Sequence, residues 1–225
     1  MCPRGLGQKM RPRGLGQKMR PRGLGSFSKG RLSNDEMRGP MGGESEGECV
    51  FFLRGVNLGA RNKVSMPLLC ELVASKFRLE RVRTHLQSGN LLCAPPAGPR
   101  DFADGLTELV REWFGVDSPV VYRTAADLRR AVEADPLAAV AGDEAFSHIM
   151  FFDREVDSFD GRRFRDALKE GEDLAWAPRE LYLWHGTPRG LHGSRITQAY
   201  AERHLGVTAA ARNMRTLRKL VTMLD

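Results

Sequence analysis

"RVRTHLQSGNLLCA", residues 81–94, decides how the rest of the chain is read. It holds two strand-like runs, 81–86 and 90–94, joined by "QSG", where Gly89 can take the positive φ of a tight reversal. A hairpin is therefore expected, and what flanks it sets the fold class. Upstream, "CVFFL" (49–53) is a continuous apolar run of buried-strand length. Ser65 then stands as a helix cap with Pro67 in the first turn, and Leu69, Leu72, Val73 and Phe77 fall on one helical face. Downstream, Phe102, Leu106, Leu109, Val110 and Trp113 keep the helical period, Gly115 ends the helix, and "PVVYR" (119–123) is a last strand. The order is βαββαβ. Residues 48–123 thus read as a ferredoxin-like unit (an alpha–beta plait), helices on one face of an antiparallel sheet.

The same grammar returns further on. "TAAD" (124–127) opens a linking helix that Pro136 stops, and residues 124–145 serve as connector. "SHIMFF" (147–152) is a strand and "DGRRFRDALK" (160–169) a helix. "DLAWA" (173–177) and "ELYLWH" (180–185) form a hairpin. "SRITQAYAERHLG" (194–206) is a helix, "VTAAA" (207–211) a short strand, and Met214, Leu217, Leu220, Val221 and Leu224 mark a terminal helix. Residues 146–225 are a second ferredoxin-like unit, so the fold class is α+β with two such units in tandem.

Residues 1–47 differ in kind. "PRGLGQKMR" occurs at 3–11 and again at 12–20, and a third copy begins at 21. One leucine per nine residues cannot bury a core, so a disordered tail is expected. It reads either as a basic arm for nucleic acid or membrane, or as an upstream extension with the start at Met37 or Met41. The chain's formal net charge of +7 lies in this tail: residues 1–40 hold ten Lys and Arg against two Asp and Glu, leaving 25 basic and 26 acidic side chains elsewhere. General attraction of the folded part to a phosphate backbone is not supported.

The four cysteines, Cys2, Cys49, Cys70 and Cys93, form no CxxC pair, which favours a reduced, cytoplasmic setting. No apolar run is long enough to span a bilayer, so no membrane partner is expected. His85, His148, His185, His192 and His204 show no HxH or HxxxH spacing, so no metal is assigned. Nothing in the sequence points to a particular cofactor, and no acid–base pair is legible.

The plait topology gathers loops. The exit of the first strand, "RGVNLGARNK" (54–63), lies beside the hairpin tip "QSGN" (87–90), and in the second unit "GSRIT" (193–197) lies beside "ARN" (211–213). Arg54, Asn57, Asn62 and Lys63 with Ser88 and Asn90 form one candidate ligand subsite. Ser194, Arg195, Arg212 and Asn213 form another. Free helix N–H groups, glycines and cations together describe a pocket for phosphate or carboxylate. Against this, Arg162 and Arg163 also sit in a first helical turn with no site attached, and solvated cations in such turns are common.

"LRGVNLGARNKVSM", "RTHLQSGN" and "GSRITQAYAERHLGVTAAARNMRTLRKL" resemble, in this order from about Val50 to Leu224, the bacterial family known as domain of unknown function 1697. The resemblance implies two plait units and no established activity. Family members usually carry Lys where this chain has Arg61 and Arg195, which keeps the cation, and Trp where it has Met214. Three functions follow: binding of a small phosphorylated or carboxylated metabolite; RNA binding on a sheet face, against which the third strand lacks the aromatic signature; or a non-catalytic module in which the polar loops tie the two units together, burying Arg54 and Arg212.

Overall fold

The computed structural model describes residues 47–94, 98–186 and 193–224. The repeated tail therefore lies outside the described residues. So do Cys2 and His192.

Strand β1 (Cys49–Leu53) leads to helix α1 (Met66–Phe77), the hairpin β2 (Arg83–His85) and β3 (Asn90–Cys93), helix α2 (Pro99–Phe114), strand β4 (Val120–Thr124) and helix α3 (Ala125–Glu133). The second half runs β5 (Ser147–Phe152), α4 (Gly161–Ala167), β6 (Asp173–Ala177), β7 (Glu180–Trp184), α5 (Gln198–Leu205), β8 (Ala209–Asn213) and α6 (Met214–Met223). Among the described residues these make six helices and two antiparallel four-stranded sheets, ordered β2-β3-β1-β4 and β6-β7-β5-β8. The fold is mixed α+β.

The apolar runs are continuous because their strands are buried on both faces. Along β1, Cys49, Phe51 and Leu53 pack under α1 and α2, while Val50 and Phe52 face the other sheet. Along β5, Ile149 and Phe151 join that shared middle layer, and Met150 and Phe152 pack toward α4 and α5. α3 and α6 complete the middle layer with Leu128, Leu217 and Leu220. One apolar layer thus belongs to both halves, and the described residues form a single compact unit.

Several boundaries differ from expectation. α5 starts at Gln198, four residues late, because Ile196 is drawn into the core and Thr197 caps the helix by accepting the Tyr200 N–H. β8 runs to Asn213 rather than Ala211, paired with β5 over its whole length. Ser65 stands at the cap position of α1 without a side-chain cap bond. Trp113, expected inward, is 53% exposed, while Val110 and Phe114 of the same stretch pack against the core.

Candidate functional site

β4 and β8 end alike, each with an arginine one residue before the cap of the following helix: Arg123 before Thr124, Arg212 before Asn213. Each arginine crosses to the other half of the molecule and seizes the same features there. From Arg123, Nη1 donates to Phe152 O at 3.1 Å, Nη2 to Arg179 O at 2.6 Å, and Nε to Glu180 Oε1 at 2.9 Å. From Arg212, Nη2 donates to Leu53 O at 3.0 Å, Ser88 O at 2.9 Å and Gly89 O at 3.1 Å, and Nε to Asn90 Oδ1 at 2.5 Å. Their guanidiniums lie 4.9 Å from the Phe151 ring and 5.2 Å from the Phe52 ring. Those two rings stack on one another at 5.1 Å across the middle layer.

The reciprocity fails at one atom. Asn90 and Glu180 each open the second strand of a hairpin, opposite Phe52 and Phe151. Glu180 gives Arg123 a carboxylate; Asn90 gives Arg212 a neutral amide. Arg212 is 8% exposed, and its hydrogen-bond partners among the described residues, Ala211 O included, are all uncharged oxygens. Burial alone pushes its pKa down to about 10; Arg123, at about 10 as well, is pulled back up by Glu180. Both guanidiniums stay charged at neutral pH. One of them, Arg212, is a buried cation with no anion among the described residues, a costly arrangement.

Arg212 lies in the wall of a cleft of about 690 Å³ between the two halves. The wall brings together Arg54, Ser88, Arg212 and Asn213, so the two candidate subsites meet in one cleft. Leu53, Val56, Leu58 and Phe146 supply apolar surface, and the first residues of α5, Gln198 and Ala199, open onto it. Arg54 is engaged there: Nε and Nη2 hold both oxygens of Glu202 in α5 at 2.6 Å each. Asn213 caps α6, accepting the Thr216 N–H at 2.9 Å.

The other six sequence-nominated residues do not line the cleft. Asn57, with φ of 54°, donates to Val64 O and Gln87 O and accepts the Val64 N–H, tying its loop to the hairpin. Asn62 donates to Gly55 O and Lys63 to Gly59 O, both within the loop. Asn90 donates to His85 O and Ser88 Oγ. Ser194 accepts the Ile196 N–H, and Arg195 is exposed ahead of α5 rather than in its first turn. The donors that marked these loops as an anion pocket are largely turned onto their own backbone.

The residues missed by sequence reasoning border the same cleft. His148, in β5, lines it. His185 packs edge-to-face on His148 at 5.0 Å, and Glu172 lies 3.5 Å from His185 Nδ1. Their spacing along the chain has no regularity that could have announced them. The thiols carry no comparable chemistry: burial, chiefly, pushes Cys93 up to about 12, so it packs as a hydrophobe. Among the described residues no group of three or more His, Cys, Asp or Glu could hold a metal ion, and no helix is long and apolar enough to cross a membrane.

Compared with known proteins, residues 47–182 match the family model described as protein of unknown function (DUF1697). The solved structure of a conserved bacterial protein from Streptococcus pneumoniae is similar, at a TM-score of 0.52 and 21% identity over 80% of this chain and 99% of that one. That likeness speaks to the fold. No curated protein matches.

Proposed function

The chain belongs to the protein of unknown function (DUF1697) family, and since membership brings no activity, we propose a function from the cleft itself: it binds a small anionic molecule, phosphorylated or carboxylated, beside Arg212. The carrying observation is the mismatch between Arg123, which has Glu180, and Arg212, which lines the cleft and has only neutral partners among the described residues. An anion there completes the charge balance that a carboxylate completes in the other half. The first turns of α5 and α6 add partial positive charge, and Ser88 adds a hydroxyl. Of the ten nominated residues, Arg54, Ser88, Arg212 and Asn213 are the binding set. Asn57, Asn62, Lys63, Asn90, Ser194 and Arg195 hold or border the loops.

We read the framework as two ferredoxin-like units, 48–123 and 146–225, joined by 124–145. The βαββαβ order and the strand order repeated in both sheets support this. A reducing, cytoplasmic setting fits Cys49, Cys70 and Cys93, which form no disulfide among the described residues.

Asn90→Asp tests the binding reading. Aspartate gives Arg212 the carboxylate that Glu180 gives Arg123. In a thermal-shift series with inorganic phosphate, pyrophosphate, sugar phosphates, nucleotides and small carboxylates, the full chain should be stabilised by at least one anion, by about 2.7 kcal/mol at a hundredfold excess over Kd. Asn90→Asp should lose that response. No response in the parent chain at millimolar anion refutes the proposal.

A second reading, the non-catalytic module, has its own support. Arg54–Glu202, Arg83 to Met223 O at 2.7 Å and Tyr182 Oη to Ala131 O at 3.1 Å also tie the halves together. RNA binding has least support, because the central strands β1 and β3 are covered on both faces and leave bases no platform.

A further inference from the structure

Next to the cleft lies a polar chain that anion binding does not need. His185 is 1% exposed and the side chain of Glu172 4%, with His185 Nδ1 3.5 Å from Glu172 Oε1. The other Glu172 oxygen accepts the Lys169 N–H at 2.8 Å, so the carboxylate is fixed at both ends. His185 Nε2 is buried with no hydrogen-bond partner among the described residues. Its ring meets the His148 ring edge-to-face, with centroids 5.0 Å apart and planes at 70°. His148 is half-buried, sits opposite Asn213 in the β5–β8 register, and lines the cleft.

The backbone is built to allow this contact. Gly186 has φ of 59°, and a Cβ there would lie 2.1 Å from Gly171 O. Only a glycine lets the end of β7 press against the turn that carries Glu172. A buried carboxylate with two imidazoles costs more than an apolar trio of the same volume would. The order carboxylate, buried imidazole, cleft imidazole is one that sets a tautomer and a ring plane.

We propose that His148 is the proton acceptor of the cleft, a general base whose ring is positioned by His185 and, through it, by Glu172. Its substrate is an anion carrying a protic oxygen, or a water held beside such an anion. The O–H bond breaks, the proton passes to the imidazole, and the electron pair stays on oxygen, where the negative charge develops in a cleft that also holds the Arg212 guanidinium. The substrate class rests on the anion-binding reading; the base itself does not. His185 and Glu172 touch no substrate and are positioning residues. Burial lowers the pKa of His185 while Glu172 pulls it back, and the Glu172 oxygen 3.5 Å from Nδ1 favours the tautomer that carries its proton there.

The test uses diethyl pyrocarbonate on the full chain at neutral pH, with each histidine followed by peptide mass mapping. His148 should react faster than the exposed His204, and Glu172→Gln should slow His148 about tenfold while leaving His204 unchanged. A His148 rate no faster than that of His204, or one changed by less than about twofold in Glu172→Gln, overturns the proposal. Should that variant fail to fold, nitrogen-15 NMR of the parent chain decides: His185 as the Nδ1–H tautomer supports it, and the Nε2–H tautomer overturns it. Inorganic phosphate should protect His148. Absence of protection alongside a retained Glu172 effect removes the anion reading and leaves the base.

Discussion

Replacing Arg212 by alanine removes the guanidinium that joins β8 to the first hairpin. Four of its acceptors lose a donor: Leu53 O, Ser88 O, Asn90 Oδ1 and Ala211 O. Gly89 O is spared, since it also accepts the Leu53 N–H at 2.8 Å. Leaving a buried acceptor unpaired costs about 1–3 kcal/mol, and the lost contact with the Phe52 ring about 1 more. Two effects offset this. The desolvation of the charge disappears, and water from the cleft reaches part of the vacated space. The net expectation is a loss of about 3 kcal/mol, large beside the ~5–15 kcal/mol of a typical domain. Urea unfolding measures it as a lower midpoint at unchanged slope. Arg212→Lys should cost nearly as much, because an ammonium cannot reach the amide and the carbonyls together. A cycle with Asn90→Ala should show coupling of about 1 kcal/mol or more. A loss under about 1 kcal/mol for Arg212→Ala, or strict additivity with Asn90→Ala, refutes the idea that this arginine clamps the halves.

Gly89→Ala should cost about 2 kcal/mol or more in the same assay, since its φ is +76° and a Cβ would meet Val56 Cγ2 at 2.6 Å and Leu53 Cβ at 2.7 Å. Glu202→Gln, which frees the half-exposed Arg54, should cost about 1 kcal/mol and strengthen phosphate binding, read by thermal shift; weaker phosphate binding would show that Arg54 takes no part. For pH, the folded pKa of His185 lies below its unfolded value of 6.5, so the unfolded chain binds the extra proton first. Its contribution is complete above pH 6.5 and fades as pH falls below it toward the folded pKa. The urea midpoint should therefore drop on acidification through this range, and His185→Gln should flatten that part of the profile.

Much of the framework was legible because its causes are local. "CVFFL" announced a buried strand, Gly89 a tight reversal, and Thr124 the cap it forms. The start of α5 was misplaced because Ile196 follows a tertiary demand that the helical period of its own segment does not carry. Trp113 fits the inward face of α2 by spacing, yet half of it stays exposed.

The amino-acid order by itself determined the helices, the strands and their repetition, since steric preference and the burial of one face act over a few residues. Only the tertiary structure decided what each polar side chain is for. Arg54 meets Glu202 across 148 positions, and Arg212 meets Asn90 across 122. An arginine in a loop reads the same whether it will face water, a carboxylate or a ring of carbonyls. The difference is made by desolvation and partner geometry, which exist only after distant segments have packed.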